Sequence, residues 1–150
     1  MYIQFDTPPV VDPRDKGYIC KCCGLFVKRY CRPLNSNMAL ALIVLYKSGL
    51  KDYVHLENLM AEKGYKRCGD ASYLIYWRFL ERLRERRPDN STRNGMYRIT
   101  PMGIMFVEGK IKAKARCYVF NNSWEGFTGE EINILDALGT KFSYADLMQE

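Results

Sequence analysis

A chain of 150 residues, 47% of them hydrophobic and 27% charged, is long enough for one domain with a buried core and too apolar for a disordered one. No apolar run approaches a membrane span, and residues 1–6 lack the basic leader and apolar stretch of a secretion signal, so the expected location is the cytoplasm. With one histidine and no P-loop, G-x-G-x-x-G, nucleophile elbow or paired acidic metal site, the chain is not expected to be an enzyme.

Residues 1–17 hold Pro8, Pro9, Pro13 and Gly17 and read as an extended arm. Residues 18–34 form a second unit, built on Cys20-Lys21-Cys22-Cys23-Gly24. A C-x-x-C-G turn lets two thiolates hold one zinc while backbone amides point at the sulfurs, and the glycine permits the tight turn. Lys21, Lys28, Arg29 and Arg32, with no acid among them, give this unit a basic face. The other cysteines are Cys31, Cys68 and Cys117. In a reducing compartment six cysteines favour a metal or burial over three disulfides. The expected cofactor is a structural zinc on Cys20, Cys23 and Cys31. Cys22, His55, Cys68 and Cys117 are further candidates for the closing ligands, and buried structural thiols or redox chemistry are the rival readings.

Residues 35–109 follow a recognisable order. Asn35 is an N-cap, and Met38, Leu42 and Leu45 recur at helical spacing up to Gly49, which predicts a helix over 36–48. A short strand at 53–56 leads into a helix over 57–63, closed by Gly64. Gly69-Asp70 opens a third helix, 70–78, with Leu74 and Trp77 on one face and Ser72, Ile75, Tyr76 and Phe79 on the other. The pattern leaves open whether it stops near Arg78 or continues to Glu85. Residues 88–95 are a turn, 96–99 a strand, and Thr100-Pro101 starts a helix that ends at Gly109. Helix, strand, helix, helix, strand, loop, strand is the order of a winged helix-turn-helix with its wing tip at 88–95. The remaining residues, 110–150, predict a hairpin over 115–120 and 124–127, an amphipathic stretch over 130–138 and a last short helix over 142–148. The expected fold class is therefore α+β: a winged-helix core, an N-terminal zinc-knuckle-like unit and a C-terminal hairpin and helical extension.

Charge divides unevenly along this plan. Residues 1–120 carry 22 basic and 11 acidic residues, whereas 121–150 carry one basic and six acidic. The basic body favours a polyanion. In a winged helix the third helix enters the major groove and the wing straddles phosphates. That assigns Ser72, Tyr73 and Tyr76 to base edges, Lys66 and Arg67 to the backbone at the helix start, and Arg84, Arg86, Arg87, Arg93 and Arg98 to phosphates from a wing whose arginines also include Arg82. None of the three helix residues offers the bidentate contact of Arg to guanine or Asn to adenine, so sequence preference is expected to be modest. The rival reading is that the arginines solvate a hairpin and the tyrosines pack against the C-terminal extension. Lys110, Lys112, Lys114 and Arg116 alternate with Ile111, Ala113 and Ala115, the pattern of a half-exposed strand with one basic face. His55-Leu56-Glu57 beside a C-x-x-C has the wrong order for a zinc deaminase, since the cysteines come first.

Several of these motifs occur together elsewhere. Cys20-x-x-Cys23-Gly24, Leu34-Asn35-Ser36-x-Met38-Ala39, Tyr53-Val54-His55, Gly69-Asp70, Trp77, Tyr97-Arg98-Ile99-Thr100-Pro101-x-Gly103 and Ala137-Leu138-Gly139-x-Lys141-Phe142 resemble an uncharacterised family of small phage and prophage proteins. The resemblance covers about residues 18–148. It implies a knuckle, a winged-helix core, a C-terminal extension and a phage origin, and it brings no established activity. Arg78 stands where that family usually has glycine, and Cys22, Cys31 and Cys68 are extra. The expected function is a phage-encoded, DNA-binding regulator of duplex DNA, working in the host cytoplasm and able to form a homodimer through its acidic tail. The alternative is a protein-binding inhibitor or adaptor that uses the tail against a host defence or transcription protein.

Overall fold

In the computed structural model, which describes residues 12–65, 69–84, 95–121 and 123–149, strands β1 (Tyr18–Ile19) and β2 (Phe26–Val27) form an antiparallel ribbon around the cysteine turn. Gly24, at φ +74°, closes that turn by donating its N–H to the Cys20 carbonyl at 2.8 Å. The residues before the ribbon are expected from sequence to be an extended arm. Residues 1–11 lie outside the described residues, but 12–17 are held down. Pro13–Asp15 is a single 3-10 turn, and Arg14 and Arg29 tie it to the sheet described below.

Strand β3 (Tyr30–Pro33) leads into α1 (Ser36–Ser48). The Asn35 side chain accepts the Met38 N–H at 2.9 Å, and Gly49 in the left-handed region ends the helix, as its cap residues require. Every residue from 38 to 45 is buried. A helix apolar on all sides belongs at the centre of a fold, and α1 packs against each of the other described α-helices.

Around it lie β4 (Val54–His55), α2 (Leu56–Glu62), a 3-10 helix over Gly69–Ile75, β5 (Leu80–Arg82), β6 (Met96–Ile99) and α3 (Pro101–Val107). The three strands form an antiparallel sheet in the order β4-β6-β5, with Val54 opposite Tyr97 and Leu80 opposite Ile99. The α-helix expected over 70–78 is corrected to this 3-10 helix. Ala71, Leu74 and Trp77 recur every three residues, and all three are buried. In a 3-10 helix residues three apart eclipse, so this spacing puts Ala71 and Leu74 on one face of a helix packed against α1, and Trp77 follows in the turn after it. Arg78 then turns the chain at φ +63°, and Phe79 and Leu80 enter the core. The option of a helix running on to Glu85 is excluded by β5.

Strands β7 (Ala113–Phe120) and β8 (Ser123–Ile132) form the long hairpin, and β3 pairs with β7, giving the order β3-β7-β8. Lys114 and Arg116 are exposed while Cys117 and Val119 are buried, so β7 is the expected two-faced strand. The stretch 130–138 is split rather than helical throughout. Residues 130–132 belong to β8, and Asn133 caps α4 (Ile134–Leu138) through a reciprocal bond pair with Asp136. Helix α5 (Tyr144–Gln149) ends the described chain. Ile134, Ala137 and Leu138 join the core, and the Tyr144 hydroxyl donates to the Val107 carbonyl at 2.8 Å. The architecture is thus mixed α+β with open antiparallel sheets. No described helix is long and apolar enough to cross a membrane.

Candidate nucleic-acid interface

Of the two tyrosines expected to read bases, Tyr73 lies on the 3-10 helix and Tyr76 in the turn that follows it, and their rings stack with centroids at 6.1 Å. Both are half-buried. The Arg32 guanidinium of β3 lies 5.1 Å from the Tyr73 ring and 4.8 Å from that of Tyr30, a cation between two aromatic faces. Arg32 lies opposite Cys117 in the β3-β7 register, so both face the 3-10 helix from the inner side of the sheet. Burial, then the neighbouring Tyr73, raises the pKa of Tyr76; burial pushes the Cys117 thiol up to about 11. Tyr73 and Tyr76 are thereby engaged by the β3-β7 sheet. Ser72 hydrogen-bonds back to the Gly69 carbonyl. The turn is anchored from below as well, because the Trp77 ring packs at 5.7 Å, tilted by 36°, on Phe127 of β8.

The arginines of β5 and β6 are differently placed. Arg98 is paired with Glu81 at 2.7 Å, which raises its pKa, and its guanidinium lies 4.6 Å over the Tyr53 ring. Arg82 lies 5.7 Å over Tyr97, and its Nε is buried with no hydrogen-bond partner among the described residues. Arg84 is exposed. Arg82 and Arg84 line an open groove of about 490 Å³ together with Tyr53 and Ile75. One wall of this groove is thus the 3-10 helix and another is β5. Lys66, Arg67, Arg86, Arg87 and Arg93, and the expected wing tip at 88–95 except Gly95, lie outside the described residues. Arg32 is the group at this surface that the winged-helix pattern does not single out. For Arg32 the available signal is the alternation Tyr30-x-Arg32, which puts ring and cation on one strand face.

The cysteine turn keeps the C-x-x-C spacing, and Cys68 lies outside the described residues. The backbone amides of Cys23 and Cys22 lie in hydrogen-bonding reach of the Cys20 sulfur and lower its pKa. Cys22 and Cys23 are exposed, and the five described cysteines are free. Cys31 stands exposed on β3, opposite Tyr118. Among the described residues no group of three His, Cys, Asp or Glu is gathered where one ion could be held, so Cys31 does not join Cys20 and Cys23. His55 is used otherwise, since its ring nitrogen Nδ1 accepts the Asn58 N–H and caps α2.

A comparison of the chain with protein-family models, curated proteins and solved structures finds no match.

Proposed function

We propose that the protein is a non-enzymatic, phage-encoded regulator that binds duplex DNA through a winged helix-turn-helix body. The observation that carries this reading is the groove between the 3-10 helix and β5, where Arg82 and Arg84 meet a sheet of order β4-β6-β5. Helix, strand, helix, helical turn, strand, strand, with the last strand central, is how a winged helix places its reading element beside its wing. The residues that join β5 to β6 add Arg86, Arg87 and Arg93 in sequence. Guanidinium groups suit phosphate oxygens, and the stacked tyrosines leave little for base contacts, so affinity comes from the backbone and sequence preference is small. Tyr73 and Tyr76 hold the turn in place; Arg84 and its neighbours hold the DNA.

The test is a titration of binding to mixed-sequence duplex DNA against salt. Affinity falls steeply with salt, and Arg86→Ala with Arg87→Ala makes the slope shallower by about one counterion per lost contact. Absence of duplex binding at low salt overturns the reading.

One observation favours the rival, a protein-binding inhibitor or adaptor against a host protein. Trp124 and Phe127 are 48% and 41% exposed and lie 5.1 Å apart on β8, the strand that also carries Glu130 and Glu131. An exposed aromatic pair on an acidic strand suits a basic protein surface. Capture from nuclease-treated host lysate that is lost in Trp124→Ala supports this second reading, and an empty capture removes it.

A further inference from the structure

We propose that Cys20 and Cys23 form half of a tetrahedral zinc site that a second copy of the chain completes with the same two residues. This proposal is independent of DNA binding.

The loop has the features of one arm of a structural zinc site. Gly24 closes the turn by bonding the Cys20 carbonyl, and the Cys20 N–H is bonded to the Leu25 carbonyl, each at 2.8 Å, so the backbone of the turn is fixed on both sides of Cys20. Structural zinc takes four ligands, and a set of four cysteines is among its usual forms. Here the described part of one chain supplies a pair and gathers no third. Of the pair, Cys23 is exposed and Cys20 is half-buried, so ligands from another molecule can reach an ion held between them.

The surface around the pair points the same way. Ile19, Leu25 and Phe26 are 61%, 67% and 59% exposed on the two strands and turn that carry the cysteines. A ribbon of two residues per strand, with none of them buried, is marginal by itself and needs a metal, a cover or both. A two-fold contact would supply both, laying one apolar rim on the other while the four sulfurs converge on the axis.

Charge decides why the contact needs the metal. Lys21 lies inside the turn and Lys28 follows the ribbon, so two bare copies repel. Zinc with four thiolates carries two negative charges, which Lys21 of each copy offsets.

The full chain, reduced and loaded with zinc alone, tests this by native mass spectrometry and X-ray absorption. The expected result is one zinc per two chains, four sulfur neighbours at about 2.3 Å, and dissociation to monomers with a chelator. Cys20→Ser with Cys23→Ser abolishes zinc and dimer together, and Cys22→Ser keeps both. Circular dichroism of the double variant controls for folding, and chelation of the wild-type chain gives the same answer without mutation. One zinc per monomer, no zinc at all, or a dimer that survives both the chelator and the double variant overturns the proposal. Loss of zinc in Cys22→Ser also overturns it, because the ligand pair would then be a different one.

Discussion

The indole Nε1 of Trp77 donates a hydrogen bond of 2.8 Å to the carbonyl oxygen of Lys114. Trp77 lies in the turn just after the 3-10 helix and Lys114 lies on β7, so this bond ties the turn to the C-terminal hairpin. Trp77 is buried, and its ring also packs on Phe127. Trp77→Phe keeps most of the packing and removes the donor, which leaves the Lys114 carbonyl without it. The expected cost is about 1–3 kcal/mol. Trp77→Ala adds a cavity and costs about 3–5 kcal/mol. Urea unfolding followed by circular dichroism reads both, and an unchanged stability in Trp77→Phe would refute the role of the hydrogen bond.

Arg78 follows immediately, and its φ of +63° lies in the left-handed region. Its side chain is exposed, while its carbonyl accepts the Thr100 hydroxyl at 2.6 Å. That bond holds the reversal in place at the start of α3. A residue with a Cβ is strained there by about 1–2 kcal/mol, and glycine is not. Arg78→Gly is therefore expected to raise stability by about 1 kcal/mol or slightly less, after its extra freedom in the unfolded chain is counted. A lower midpoint of thermal unfolding for Arg78→Gly would show that the side chain contributes more than the strain costs.

The helical elements are legible in the sequence where local rules decide them. Asn35 and Gly49 bracket α1, and Thr100-Pro101 opens α3, because caps and proline act within a turn of chain. The third helix departs from its expected form because its apolar residues do not keep a period of 3.6. Ala71, Leu74 and Trp77 have a period of three, and α1, apolar on all its faces, rewards that tighter row. Arg98 is legible as a basic residue of the sheet but not as a partner of Glu81, since strand register sets that pair. The covering of Tyr73 and Tyr76 is legible only as the rival reading, in which they pack against the C-terminal extension; the part played by Arg32 of β3 is not legible. It depends on β3 and β7, which lie more than 80 residues apart in sequence and meet only in the folded chain.

Two titrations with opposite signs follow from the geometry. Arg14, bonded to Asp12 through side chain and backbone, holds the Asp12 carboxyl at about 2, below its ordinary 3.8. A lowered acid stabilises the folded state above pH 3.8 and loses that contribution as pH falls to about 2. Cys117 runs the other way. Burial lifts its thiol from 9.0 to about 11, so folding favours the protonated form. Its contribution is complete below pH 9.0 and is lost as pH rises towards 11. Stability measured against pH should fall at both ends. Asp12→Asn should flatten the acid limb and Cys117→Ala the alkaline one, and an unchanged limb in either variant removes that residue from the account.

The division of labour between tyrosines and arginines can be separated by measuring stability and DNA affinity on the same variants. Tyr73 stacks on Tyr76 and covers Arg32, which has a buried Nε with no partner among the described residues. Tyr73→Ala exposes that cation and loses a half-buried ring, for about 2 kcal/mol of stability, somewhat below the cost for a fully buried aromatic. Tyr73→Phe keeps the ring and should leave both stability and DNA affinity close to wild type. Arg84 is exposed at the groove, so Arg84→Ala should leave stability within about 0.5 kcal/mol. It should nevertheless weaken duplex binding equally on all sequences and reduce the salt slope by about one. If Tyr73→Phe loses affinity for particular sequences while its stability is unchanged, the hydroxyl reads a base. The 3-10 helix would then be a recognition element after all, rather than a support for the arginines.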